Sequence, residues 1–85
     1  MKSFDYVIKD EAGLHARPAG LLVKCVASCD SEVKIGFNSK SVSAKKLFAV
    51  MGLCVKQNDA ITITVEGANE EADYIKIKEF CEQNF

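Results

Sequence analysis

Residues 60–67 read AITITVEG, which puts Ile61, Ile63 and Val65 on one side of an extended chain and Thr62, Thr64 and Glu66 on the other. A period of two belongs to a strand with one buried face, and Gly67 stops it. The same period recurs upstream. SFDYVIK at 3–9 sets Phe4, Tyr6 and Ile8 against Ser3, Asp5, Val7 and Lys9, and EVKIGF at 32–37 aligns Val33, Ile35 and Phe37. NSK at 38–40 supplies a tight turn, after which KSVSA pairs back as a short strand. Strands with one apolar face need a cover on that face only.

Helical patterns supply the cover. From about residue 16 to 28, Ala19, Leu22, Val23, Val26 and Ala27 recur at helix spacing. KLFAVMGL at 46–53 predicts a short helix, with Ser43 as its cap. Asn69 suits the cap of a last helix, Glu70 and Glu71 suit its positive end, and Tyr74, Ile77, Phe80 and Cys81 form its inner stripe. DEAG at 10–13, CDS at 29–31 and KQND at 56–59 break the chain between elements. The order βαββαβα predicts an α+β fold: an open-faced β-sandwich, with a four-stranded, mostly antiparallel sheet and three helices on one face. Lys34, Thr62 and Thr64 face water on the other. At 85 residues, the expectation is one domain spanning 1–85.

Composition removes several function classes. A net charge of −1 argues against a nucleic-acid partner, and the outer strand faces offer Ser, Thr and Lys where an RNA-binding sheet needs stacking aromatics. No apolar run approaches the roughly 20 residues that cross a bilayer, so no membrane insertion is expected. MKSFDYVIKD carries charges inside its apolar stretch, unlike a signal peptide. The four cysteines, at 25, 29, 54 and 81, form no CxxC pair, and there is one histidine to join them. Neither a metal site nor a cofactor is expected. Reduced thiols in the cytoplasm are the expectation, with Cys25 and Cys29, one helical turn apart, serving as small core residues.

GLHARPAG at 13–20 holds the chain's one histidine, one arginine and one proline at positions 15–18. Pro18 belongs in the first turn of a helix, where a missing N–H costs nothing. His15, Ala16 and Arg17 then lie at the helix entrance, among backbone N–H groups without helical partners and at the positive end of the dipole. Such a place receives an anion, and Arg17 adds a donor fork matched to phosphate oxygens. A neutral imidazole has a free lone pair and is a nucleophile. Together these groups suit phosphoryl acceptance by His15, with Arg17 and the backbone of Ala16 and Arg17 holding the negative oxygens. Position alone also fits a surface or capping histidine and a solvated arginine. A carboxylate orienting His15 could come from Asp10, Glu11 or elsewhere in the chain. A cysteine- or serine-based hydrolase fits poorly, because the cysteines fall inside helices.

Lys45 and Lys46 stand at the start of the short helix, where cations are unfavourable. One reading is a solvated basic turn held by tertiary packing. The other is a docking surface: Leu47, Phe48 and Met51 cannot all face inward, and an apolar patch ringed by Lys24, Lys45 and Lys46 would suit an acidic, greasy partner, with Phe48 or Leu47 at its centre.

GLHARPAGLLV, together with KSVSAKKLFAVMGLCVKQNDAITITVEGANEEA, resembles the HPr family, the histidine-containing phosphocarriers of the bacterial phosphoenolpyruvate–sugar phosphotransferase system. The likeness covers nearly the whole chain. It implies an open-faced β-sandwich and a cytoplasmic monomer. It implies that His15 accepts phosphate through Nδ1 from phosphorylated enzyme I and passes it to IIA domains of sugar permeases, with Arg17 stabilising the phosphate and the short helix over 46–53 docking both partners. The alternative is a specialised paralogue, nitrogen-type or regulatory, that acts mainly by docking. An acylphosphatase shares a similar element order, but its Gly-x-Val-Gln-Gly phosphate loop is missing. Two departures from the family stand out. Lys46 occupies a place that is usually serine, a regulatory phosphorylation site in many members, and lysine cannot take that modification. Ala12 stands where a hydroxyl or amide residue often supports the phosphate.

Overall fold

In the computed structural model, which describes residues 1–85, the seven elements occur in the expected order: β1 (Lys2–Val7), α1 (Ala16–Ala27), β2 (Glu32–Phe37), β3 (Lys40–Ser43), α2 (Leu47–Met51), β4 (Ala60–Glu66) and α3 (Glu70–Asn84). The AITITVE strand is central. The sheet order is β1-β4-β2-β3, and every pairing is antiparallel. An interior strand satisfies its backbone on both edges and can bury one whole face, and Ile61, Ile63 and Val65 are fully buried.

Register carries the buried face across the sheet. Phe4 and Ile35 flank Ile63, Tyr6 lies opposite Ile61, and Val33 lies opposite Val65. The other face is polar. Lys34 pairs with Thr64, and Thr62, opposite Asp5, donates its hydroxyl to the Asp5 carboxylate at 2.7 Å. Leu22 and Val26 of α1, Val50 of α2, and Ile77 and Cys81 of α3 close over the apolar side in one continuous core. Each such aliphatic side chain contributes about 1.5–3 kcal/mol on burial.

Local chemistry explains the connections. Asn38 and Ser39 both adopt positive φ, as the two-residue turn between β2 and β3 requires. β1 ends at Val7, but Ile8 continues the pairing: its N–H donates to Asp59 and its carbonyl accepts from Asn58.

The structure corrects several boundary expectations. α2 ends at Met51 because tighter bonds, Leu53 N–H to Val50 and Cys54 N–H to Met51, replace the helical ladder, and Cys54 closes the turn at φ 57°. Its N-cap is Lys46, without a side-chain cap bond; the Ser43 hydroxyl instead accepts the Lys45 N–H at 3.2 Å. Asn69 does hold the N-cap position of α3, but its amide donates to Asp30 at 2.8 Å and makes no cap bond, while the Glu70 carboxylate reaches back to accept the Gly67 N–H ahead of the helix. Phe37, Tyr74 and Phe80 are half-buried, as is Cys25, while Cys29 is buried.

Asp73 is a buried carboxylate that the hydrophobic pattern did not flag. It accepts the Ser31 N–H at 3.0 Å and so ties α3 to the start of β2. Ser31 is the chief cause that holds this carboxyl below the ordinary value, with a smaller contribution from Cys29, against the opposing effect of burial; the contact the structure shows is the Ser31 N–H bond, since the Ser31 hydroxyl has no hydrogen-bond partner.

Candidate functional site

His15 is the N-cap of α1, extended at φ −92° and ψ −167°, and its imidazole makes no cap bond. Histidine is a poor cap, so its presence breaks a local rule without a structural return. The first intrahelical bond runs from the Ala19 N–H to the His15 carbonyl at 2.9 Å. Pro18 has no N–H, and those of Ala16 and Arg17 have no acceptor within the protein. The first turn of α1 holds no acidic residue, whereas α3 begins with Glu70, Glu71 and Asp73. α3 therefore compensates its own positive end and α1 leaves its own open.

The chain leading to His15 is fixed by backbone contacts. Gly13 adopts φ +69°, a conformation open mainly to glycine. Its N–H donates to Asp10 at 2.9 Å, and the next N–H, of Leu14, donates to Val55 at 3.0 Å. Leu14 is buried, and so holds the residue before the histidine in the core while the imidazole stays exposed. Asp10 also accepts the Ala12 N–H at 2.9 Å, closing the turn.

His15 and Arg17 share a polar recess of about 410 Å³ whose other polar walls are Asp10, Gln83 and Asn84. Of the two carboxylates named for His15, Asp10 lines this recess and Glu11 does not, and neither hydrogen-bonds the ring. Gln83 and Asn84 escaped sequence reasoning, because nothing in a polar pair at the end of a helix points to a residue nearly 70 positions away. The largest recess, about 630 Å³, lies at the start of α3 and is lined by Glu70 and Glu71 with no basic group; it does not suit an anion.

The site's cations are unpaired. The ion pairs of the protein are Met1–Glu70, Lys2–Glu71 and Lys34–Glu32, all away from α1's entrance. Arg17, Lys24, Lys45 and Lys46 are exposed and free for an external anion. A second recess, about 240 Å³ and mostly apolar, joins His15 to Met51, Leu14 and Val55. α2 thus borders the histidine. Phe48 is 83% exposed, while Leu47 and Met51 pack partly on the core, so Phe48 is the apolar group that α2 presents to solvent. Lys24, Lys45 and Lys46 line neither recess. Lys24, in the last turn of α1, also sits where a cation suits the helix dipole. No helix is long and apolar enough to cross a membrane.

The open-faced sandwich places the chain in the class of the phosphocarriers of the phosphotransferase system. A family model described as "PTS HPr component phosphorylation site" matches residues 2–83. Phosphocarrier protein HPr of Mycoplasma genitalium is 39% identical over 85 residues, covering 99% of this chain and 97% of that protein. The crystal structure of HPr-C-His from Thermoanaerobacter tengcongensis superposes with a TM-score of 0.93 at 33% identity, covering 100% of this chain and 96% of that one. An HPr dimer from the same organism gives 0.76 at 32% identity, over 98% and 95% of the two chains. The chain belongs to the HPr family of phosphocarrier proteins.

Proposed function

We propose that His15 accepts a phosphoryl group from phosphorylated enzyme I and gives it to IIA domains of sugar permeases. The observation that carries this reading is the exposed, unbonded imidazole at an α1 entrance whose first N–H groups, and the Arg17 guanidinium, all lack partners within the protein. The Nδ1 lone pair forms a bond to phosphorus as the donor's bond to phosphorus breaks, and that electron pair returns to the donor. Arg17 and the Ala16 and Arg17 N–H groups then hold the phosphoryl oxygens. Each contact is worth on the order of 1–3 kcal/mol, enough to capture the group and weak enough to release it.

The whole chain acts as one domain, as a cytoplasmic monomer. Docking of both partners falls to Phe48, Met51 and the edge of Leu47, with Lys24, Lys45 and Lys46 steering acidic surfaces. Lys46 has no hydroxyl to take a phosphate, so regulation through a serine at that place is absent. The test is incubation with enzyme I and phosphoenolpyruvate, with intact mass measured before and after. One acid-labile, base-stable phosphate per chain is expected, and none on His15→Ala; a labelled His15→Ala would overturn the assignment. Restored sugar uptake in a strain lacking its own carrier separates the sugar carrier from a regulatory paralogue.

A further inference from the structure

The polar recess beside His15 has a wall supplied by the last turn of α3, and that turn is held in place. The Phe85 main-chain oxygen accepts the Lys9 N–H at 2.7 Å and the Asp10 N–H at 3.2 Å. The Phe85 ring is buried and packs edge-on against Phe80, with centroids 5.5 Å apart. The end of α3 and the loop that delivers His15 are therefore one unit.

The two amides on this wall differ. Asn84 donates its Nδ2 to the Phe80 carbonyl at 2.9 Å, so its donor is engaged. The Gln83 amide has no partner in the protein, although it lines the same recess as His15 and Arg17. This side of the recess is otherwise unfavourable to an anion. The carbonyl end of a helix carries partial negative charge, and Asp10 adds a carboxylate. An uncommitted N–H donor offsets both. We propose that Gln83 donates a hydrogen bond to the phosphoryl group on His15, a contact additional to Arg17 and the N–H groups at the α1 entrance. This rests on His15 being the phosphoryl acceptor. A neutral amide meeting a phosphoryl oxyanion makes a charge-assisted bond, formed only in the phosphorylated state, so it shifts the carrier's equilibrium rather than its fold.

The experiment equilibrates the full chain with phosphoenolpyruvate and pyruvate through enzyme I and measures the phosphorylated-to-free ratio by intact mass, with the ³¹P resonance of the phosphohistidine as a second readout. Gln83→Ala is expected to lower the ratio about threefold and to move the resonance. Gln83→Glu is expected to lower it about tenfold, with the deficit shrinking at high salt as charge repulsion is screened. Glu79→Ala, an exposed change on the same helix outside the recess, leaves both readouts at the wild-type value. Wild-type ratios and an unmoved resonance in both Gln83 variants would overturn the contact while leaving the carrier assignment intact. A wild-type chain that takes no phosphate on His15 would overturn the carrier assignment and this contact with it.

Discussion

A β-carbon on Gly13 would lie 2.5 Å from the Val55 carbonyl oxygen, the same oxygen that accepts the Leu14 N–H at 3.0 Å. Backbone meets backbone there, so no flexible side chain can yield. Positive φ adds a second reason for glycine. Gly13→Ala is expected to destabilise the fold by about 2–4 kcal/mol, from left-handed strain plus forced separation. Separation would also pull the Leu14–Val55 bond apart and shift His15. Denaturant midpoints measure the first effect and the imidazole NMR resonances the second; a near-neutral alanine would show that this approach does not set the site.

Gly20 is the contrasting case. It lies inside α1, and a β-carbon there meets nothing within 4 Å. No packing or backbone requirement calls for glycine, so Gly20→Ala should stabilise by about 0.5–1 kcal/mol through helix propensity. The midpoint of unfolding should rise with an unchanged denaturant slope; a fall would mean that α1 needs flexibility at this position.

Asp73 makes stability depend on acid. Its folded carboxyl titrates below the ordinary value, chiefly because of Ser31. A depressed value means that the unfolded chain binds the proton first. The contribution is therefore complete above the ordinary carboxylate range, near pH 4, and is lost as pH falls through the folded value. Asp73→Ala should cost about 1–3 kcal/mol at pH 7, since the Ser31 N–H loses its buried acceptor. At pH 3 the gap between variant and wild type should narrow. Equal gaps at the two pH values, from denaturant titrations, would show that the carboxylate's charge is immaterial.

The topology was readable because each strand carries its buried face in alternation and each helix its stripe: Ile61, Ile63 and Val65 alone determine which side of β4 is covered. The site's centre was readable for a different reason. His15, Arg17 and Pro18 are each unique in the chain, and proline at a helix start has a fixed geometric meaning. Caps were less readable. Ser43 and Asn69 are good cap residues by type, but each found a competing partner, the Lys45 N–H and Asp30, that only the folded arrangement supplies. Asp73 and Gln83 were invisible for the same reason: a carboxylate on α3 acquires meaning from Ser31, 42 residues away, and an amide on its last turn from the loop before α1.

Phe48 separates docking from chemistry. Its side chain is 83% exposed and contributes little to the core, so Phe48→Ala should leave stability within about 0.5 kcal/mol. If α2 is the partner surface, the loss falls on encounter instead. Truncating a central aromatic at an interface often costs more than about 2 kcal/mol of binding, which predicts at least a tenfold drop in kcat/KM for phosphoryl transfer from enzyme I, carried mainly by KM. Phosphorylation by a small donor such as phosphoramidate needs no docking and should proceed at the wild-type rate, because Phe48 lines neither recess beside His15. Equal losses with both donors would mean that Phe48 supports the histidine rather than the partner. Unchanged transfer with both would move the docking surface off α2.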